Sequence, residues 1–340
     1  MPLLDVVQLS VSFATVDGLV QAVRELSFDV EAGQTLGLVG ESGSGKSVAV
    51  QTVLGLTPGA RISGHAWFEG RDLLTADRAE LRRVRGGRIG MVFQDPLTSL
   101  HPTYRVGWQI AELIRQHDRA VSRAAAKRRA VELLTMVDIP AAARRVDDYP
   151  HQFSGGMRQR VMIAMALAMD PALLIADEPT TALDVTVQAQ VLAVLRRVQR
   201  EFATAIVLIT HDLGIIADIA DRVVVMYAGA VMEQADRRDL FYSHHHPYTA
   251  GLLSSLPVPG ERRRLTPIPG QPPSAISLPA GCPFQPRCSH AFDRCTETPP
   301  LREVPPDAGH RSACWLPAAR AMRTRAPASR STLEPNSGAP

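Results

Sequence analysis

The feature that most constrains this chain is a glycine-rich segment at residues 40–47, Gly-Glu-Ser-Gly-Ser-Gly-Lys-Ser. An apolar run at residues 35–39 precedes it and is typical of a buried strand, and residues 48–56 after it are predicted to be helical. In this strand–loop–helix order, glycines let successive backbone N–H groups turn toward one anion, and the helix N-terminus adds positive potential. The segment therefore predicts a phosphate-binding loop.

The residue types within the loop indicate a nucleotide. Lys46 can reach β- and γ-phosphates, and the Ser47 hydroxyl can ligate Mg²⁺. A chance match has a probability on the order of 10⁻³, because the chain has only two lysines and one of them stands here. We expect the whole segment to contact the phosphates, through Gly40, Glu41, Ser42, Gly43, Ser44, Gly45, Lys46 and Ser47.

The composition is that of a globular protein with room for one large domain and a smaller one. A net charge of only +3 gives no strong polyanion-binding signal, so nucleic acid is not a predicted partner. The first residues lack a basic segment followed by an apolar core, and the longest apolar run, residues 161–176, is broken by Asp170-Pro171. We expect cytoplasmic placement, with any membrane role supplied by a partner.

The order of elements predicts an α/β fold with a mainly parallel sheet. Residues 6–13 and 23–30 alternate apolar and polar side chains, as half-buried strands do, and later strands alternate with helices. Residues 95–155 have helical periodicity with exposed arginines and are predicted to form a helical insertion. We expect a first domain at 1–235, a Pro- and Cys-rich extension at 236–316 and a disordered tail at 317–340.

Two further motifs carry candidate chemistry. Asp177 and Glu178 follow a buried strand, where the first could hold Mg²⁺ and the second could polarise an attacking water; the alternative is a solvated acidic pair. Ser154-Gly155-Gly156 opens a predicted helix and offers a second anion-binding N-terminus, although an ordinary helix cap explains that motif equally well.

Together these motifs resemble those of ABC-type ATPases. Residues 153–160, Phe-Ser-Gly-Gly-Met-Arg-Gln-Arg, are similar to the family's signature motif, Gln94 to its Q-loop, Thr181 to Asp184 to its D-loop, and His211 to its switch histidine. Phe153 and Met157 stand where the general signature has Leu and Gln. Three further segments, 94–102, 246–249 and 267–273, together with Cys282-Pro-Phe-Gln-Pro-Arg-Cys288, resemble the ATPase subunits of dipeptide/oligopeptide importers.

The resemblance implies a P-loop ABC ATPase fold with an N-terminal antiparallel β subdomain, and it implies roles for individual residues. Phe13 would stack on adenine. Ser47, Gln94 and Asp177 would bind Mg²⁺, directly or through water. Glu178 would act as the general base, and His211, Lys46 and Gln94 would be the other catalytic residues. Ser154, Gly155 and Gly156 would close over ATP bound to a second ATPase subunit, with Asp184 at the same interface.

The resemblance also implies partners and a location. These are a related but distinct ATPase chain, two membrane permeases and an extracytoplasmic solute-binding protein, which would hold this chain at the cytoplasmic face of the membrane. The cargo would be di- or oligopeptides, with nickel or another small solute as the alternative. A soluble ABC ATPase acting on nucleic acid or ribosomes is a different class, and the single P-loop and modest charge argue against it.

Four cysteines lie near the C-terminus, at Cys282, Cys288, Cys295 and Cys314. Their spacing matches neither common zinc modules nor ferredoxin runs, yet thiolate-only ligation suits both zinc and iron–sulfur clusters. Four reduced structural thiols are the remaining alternative. The resemblance implies a 4Fe–4S cluster, with zinc as the alternative. His244 and His245 are interpreted as part of a solvated loop.

Overall fold

The computed structural model describes residues 1–95, 99–181, 183–256, 267–304 and 309–317. Its strands are β1 (Leu4–Thr15), β2 (Gly18–Val30), β3 (Thr35–Val39), β4 (Arg61–Phe68), β5 (Arg71–Asp72), β6 (Ile89–Val92), β7 (Leu173–Asp177), β8 (Ala205–Thr210), β9 (Arg222–Tyr227), β10 (Ala230–Asp236), β11 (Arg302–Glu303) and β12 (Arg311–Ser312). Its α-helices are α1 (Lys46–Val53), α2 (Arg78–Val84), α3 (Val106–His117), α4 (Arg123–Met136), α5 (Ala142–Arg145), α6 (Gly155–Ala166), α7 (Val185–Phe202), α8 (Leu213–Ile219), α9 (Arg237–Tyr242) and α10 (Pro247–Ser254).

The strands form two sheets, as the sequence predicts. The N-terminal sheet has the order β2-β1-β4-β5 and is antiparallel throughout. The larger sheet has the order β11-β12-β10-β9-β3-β8-β7-β6, in which the five strands from β9 to β6 run parallel. The α/β class, the mainly parallel core and the antiparallel subdomain are confirmed.

The parallel strands are buried on both faces, which explains their continuous apolar sequences. Every residue of β8 is buried, and its side chains alternate between two cores. Ile206 and Leu208 pack into the core shared with the helical insertion, whereas Val207 and Ile209 pack into the core shared with the antiparallel sheet. Burying each such side chain contributes about 1.5–3 kcal/mol. Burial on both faces therefore holds in place the C-terminal ends of the parallel strands, where the polar site residues follow.

The predicted helical insertion is confirmed, and it is tied to the helix that follows it. Its helices α3, α4 and α5 come between β6 and α6. Buried Arg160 on α6 donates from Nη1 to the carbonyl oxygen of Asp138 at 2.5 Å, just after α4 ends. Desolvation lowers the pKa of Arg160, with nearby Asp138 opposing that effect. The insertion and α6 therefore share a buried contact.

The C-terminal extension joins the core sheet rather than lying apart from it. Strand β12 pairs with β10, and fully buried Glu233 on β10 lies with Oε1 2.7 Å from Nε2 of His310. The same carboxylate accepts the backbone N–H groups of His245 and His246 at 2.5 and 3.2 Å. The predicted solvated loop at His244 and His245 is wrong: His244 is 1% exposed and His245 is partly buried.

Some predictions fall outside the described residues. These are the disordered tail beyond residue 317, part of the Pro-rich stretch at 257–266 and part of the segment 94–102. Within the described ranges, no helix combines the length and apolar character needed to cross a bilayer.

Candidate functional site

The glycine-rich loop folds around the ammonium group of Lys46. Its Nζ donates to the carbonyl oxygens of Gly40 and Glu41 at 2.8 and 2.9 Å and to Ser44 Oγ at 3.1 Å. Lys46 is only 5% exposed, and desolvation lowers the pKa of its side chain, against the opposing effect of nearby acidic groups. The loop depends on glycine at Gly45, which has φ of 97° and would place a Cβ 2.2 Å from the carbonyl oxygen of Ala22.

The end of β7 brings a carboxylate to the start of α1. Ser47 Oγ donates to Asp177 Oδ1 at 2.8 Å, and Asp177 is 3% exposed. Burial raises the pKa of Asp177, while the Ser47 hydrogen bond opposes that rise. A hydroxyl and a carboxylate in contact are hard oxygen donors of the kind Mg²⁺ prefers, so this pair fits the predicted metal.

Three side chains contact Glu178, the residue after β7. Gln94 Nε2 and Thr181 Oγ1 donate to its Oε2 at 3.0 and 2.9 Å, and His211 Nδ1 lies 3.3 Å from its Oε1. Glu178 itself has φ of 48°, and its N–H donates to the carbonyl oxygen of Ile209 at 2.9 Å, so the backbone holds its direction. The structure thus joins Gln94, Glu178 and His211 in one network, and it adds Thr181, for which the D-loop motif predicts no contact with Glu178.

The signature segment forms a helix cap with an open face. Ser154 Oγ accepts the N–H of Met157 at 3.3 Å, which confirms the predicted cap of α6. A Cβ on Gly155 would meet no atom within 4 Å, whereas one on Gly156 would lie 2.1 Å from Val187 Cγ1. Gly156 is therefore needed for packing, and Gly155 faces open space.

The neighbouring D-loop segment is also exposed. Asp184 caps α7 by accepting the N–H of Val187 at 2.9 Å, and Val185 beside it is 83% exposed. Ala182 of this motif lies outside the described residues. Phe13 lies on the antiparallel sheet opposite Val20, is partly buried, and does not join the hydrogen-bond network of the loop.

Two residues of the C-terminal extension, Arg287 and Tyr248, hold the loop in contacts that the sequence does not predict. Arg287 forms a two-pronged ion pair with the Glu41 carboxylate, and Tyr248 Oη accepts the Glu41 N–H at 2.9 Å. Both stand in segments that resemble those of peptide-importer ATPases, Cys-Pro-Phe-Gln-Pro-Arg-Cys and His-Pro-Tyr-Thr. No local pattern indicates a partner 246 residues away.

The four cysteines line one small cavity together with His246. Burial raises the pKa of Cys282, Cys288 and Cys314, so these side chains are protonated thiols when no metal is bound. Across the part of the chain that the structure describes, no group of three or more His, Cys, Asp or Glu side chains is placed to hold a metal ion. The described residues therefore give no support to the predicted 4Fe–4S or zinc site.

Comparison with known proteins agrees with the fold. A family model described as ABC transporter matches residues 23–181, and one described as the C-terminal region of oligopeptide/dipeptide transporters matches residues 232–295. Among solved structures, the dimeric ATP-binding cassette MJ0796 bound to ADP and Pi aligns with a TM-score of 0.63 at 26% identity, covering 69% of this chain and 99% of that one. The cassette cbiO1 of Clostridium perfringens aligns with a TM-score of 0.61 at 28% identity, covering 71% and 90%.

Two relatives match along nearly the whole chain. The oligopeptide transport ATP-binding protein OppD of Salmonella typhimurium is 52% identical over 317 residues, which cover 93% of this chain and 94% of the relative. The dipeptide transport ATP-binding protein DppD of Bacillus subtilis is 48% identical over 322 residues, covering 94% and 96%. The chain therefore belongs to the family of oligopeptide and dipeptide transport ATP-binding proteins and is an ABC-type ATPase.

Proposed function

We propose that this chain hydrolyses ATP to drive uptake of di- or oligopeptides through a membrane importer. The observation that carries the proposal is 52% identity to an oligopeptide transport ATP-binding protein over 94% of that protein's length. An intact set of loop, carboxylate and histidine contacts supports it, because each polar group needed for phosphoryl transfer to water is present and hydrogen-bonded.

In this proposal the site residues divide the work. The segment 40–47 would cradle the phosphates, and Phe13 would stack on adenine. Ser47, Asp177 and Gln94 would hold Mg²⁺, which when bound would supply positive charge to offset that of the phosphate oxygens. Glu178 accepts the proton of the attacking water, and His211 contacts the γ-phosphate; the 3.3 Å separation of their side chains supports a shared task.

We further propose that the complete site needs a second ATPase subunit. Ser154, Gly155 and Gly156 would close over nucleotide held by the other subunit, with Asp184 at the same interface. The open space around Gly155 and the exposure of Val185 support this, because both would be covered in a closed pair. Loss of the γ-phosphate would then open the pair and reset the cycle.

A groove beside Gln94 is the proposed contact with a membrane permease. It measures about 500 Å³, and apolar side chains such as Phe93, Leu113, Met162 and Met165 line much of it. Phe93 precedes Gln94 directly, so a permease helix seated here would lie against the segment that contacts Glu178. Such docking would hold the chain at the cytoplasmic face of the membrane, beneath permeases served by an extracytoplasmic binding protein.

Purification of the tagged chain from membranes of its own cells tests these partners. We expect a second ATPase, two permeases and a solute-binding protein to be recovered, and we expect that binding protein to bind peptides in a ligand screen. A binding protein that takes up nickel and no peptide would establish the alternative cargo. Recovery of ribosomes or nucleic acid in place of permeases would refute the importer proposal.

The 4Fe–4S cluster, and zinc as its alternative, have only the resemblance in their favour. Anaerobic purification followed by iron and zinc analysis tests both. Stoichiometric iron with visible absorbance would support the cluster, and a colourless zinc-loaded chain would support zinc. Protein that folds with neither metal would leave Cys282, Cys288, Cys295 and Cys314 as structural thiols.

A further inference from the structure

We infer that Arg287 of the C-terminal extension is a positioning residue for nucleotide binding, because it fixes Glu41 and with it the phosphate-binding loop. The inference rests on the proposed nucleotide site. The C-terminal extension thereby helps to position the nucleotide site.

All the donors of Arg287 are used. Its Nη1 donates to Glu41 Oε2 at 2.6 Å and to Tyr227 Oη at 3.1 Å, and its Nη2 donates to Glu41 Oε1 at 3.0 Å. The remaining donors reach the carbonyl oxygens of Pro269 at 2.8 Å and Ile268 at 3.4 Å. The side chain is 5% exposed and its pKa is raised, chiefly by the Glu41 hydrogen bond. A guanidinium held at five points leaves its ion-pair partner one orientation.

Glu41 is held at its backbone as well as at its carboxylate. Its N–H donates to Tyr248 Oη at 2.9 Å, and its carbonyl oxygen accepts from Lys46 Nζ at 2.9 Å. The extension thus contacts Glu41 at two points, at the carboxylate through Arg287 and at the backbone through Tyr248. Because the Glu41 carbonyl oxygen accepts from Lys46 Nζ, displacement of Glu41 would also displace the ammonium that is placed to meet phosphate.

Charge gives a second reason for the pair. The Glu41 carboxylate belongs to a loop that must accept a polyanion, and an unpaired carboxylate there would repel phosphate. Arg287 neutralises that charge inside a largely buried contact, where screening by salt is weak. Arg287 therefore acts through Glu41 on geometry and on charge.

The extension also contacts the sheet that carries the proposed adenine-stacking residue. The N–H of Gln21 on β2 donates to the carbonyl oxygen of Ala275 at 3.0 Å. Ile276 packs against the β1–β2 turn, where a Cβ on Gly18 would lie 3.1 Å from its Cγ2. One segment of the extension, residues 267–287, thus contacts both the phosphate loop and the β1–β2 hairpin.

Calorimetric titration of the full-length chain with MgATP tests the inference, since it yields the dissociation constant and the stoichiometry separately. We expect Arg287→Met to weaken binding at least about fivefold at unchanged stoichiometry, a coupling of ordinary size between contacting groups. Arg287→Lys keeps the charge without the fork and should fall in between. Arg294→Met is the matched control, since Arg294 lies in the same extension and stacks on Trp315, away from the loop.

A double-mutant cycle separates support of the loop from support of the fold. Glu41→Gln in the Arg287→Met background should recover part of the affinity, because it removes the unpaired carboxylate. In the assembled transporter, Arg287→Met should raise KM for ATP while kcat changes less than about twofold. Reduced stoichiometry at unchanged affinity, or no coupling between the two positions, would overturn the inference. A wild-type chain that does not bind MgATP would instead refute the proposed site itself.

Discussion

Replacing Glu178 with Gln should separate nucleotide binding from hydrolysis, because the structure allows Gln to keep most of the contacts of Glu178. Both donors to Oε2, Gln94 Nε2 and Thr181 Oγ1, can keep their partner, because the amide of Gln retains one oxygen. Only the oxygen that faces His211 at 3.3 Å becomes an NH₂ group. The substitution changes almost no volume and leaves the hydrogen bond from the Glu178 N–H to Ile209 in place.

The expected loss is therefore in the chemical step. An amide does not accept a proton from water at neutral pH, and removal of a general base costs about 10²–10⁴-fold in rate. We expect kcat for ATP to fall by that factor in the assembled transporter, with MgATP affinity within about threefold of wild type, which is under 1 kcal/mol. The midpoint of thermal unfolding should shift by only a few degrees.

Steady-state phosphate release and calorimetric MgATP titration on the same preparations provide the two readouts. Thr181→Val is an informative companion, because it removes one donor to Glu178 while the base remains, and it should lower kcat far less than Glu178→Gln. Turnover of Glu178→Gln within about threefold of wild type would refute the assignment of Glu178 as the base.

Two further predictions concern other parts of the chain. Gly155→Asp should fold normally, because a Cβ at this position meets no atom within 4 Å. It should nevertheless abolish the ATP-dependent pairing of ATPase subunits, measured by light scattering. Pairing at wild-type level would contradict the proposed interface. Burial lowers the pKa of His246 to about 4, below its unfolded value, so the folded chain resists protonation of this side chain. The free energy of unfolding should therefore decrease as pH falls from about 6.5 toward 4, by up to about 3 kcal/mol. His246→Asn keeps a cap acceptor for the Tyr248 N–H and should flatten that loss in thermal unfolding between about pH 7 and pH 5, whereas an equal loss in both proteins would contradict this cause.

The fold could be predicted where the sequence is locally decisive. The continuous apolar run of β7 is typical of a doubly covered strand, and Ser154 before a helical run is a recognisable cap. The polar residues after β7 and β8 could be placed at one sheet edge, since parallel strands end together. Their hydrogen bonds to one another follow from that placement.

What the sequence did not indicate depends on contacts between distant segments. Three consecutive histidines suggest a solvated loop, but the Glu233 carboxylate on β10 accepts two of their backbone N–H groups and draws the segment into the core. The sequence places Arg287 only within a cysteine motif, because its partner Glu41 is remote in sequence. Such pairs become visible only once the sheet has fixed which segments meet.

A reconstituted transporter tests whether hydrolysis at this site drives peptide uptake. The complete complex, in vesicles with its binding protein, should hydrolyse ATP faster and accumulate labelled peptide when peptide is supplied, and Glu178→Gln should abolish both. Nickel should have no effect on either rate. ATP turnover and uptake that respond to nickel and ignore peptide would contradict the account.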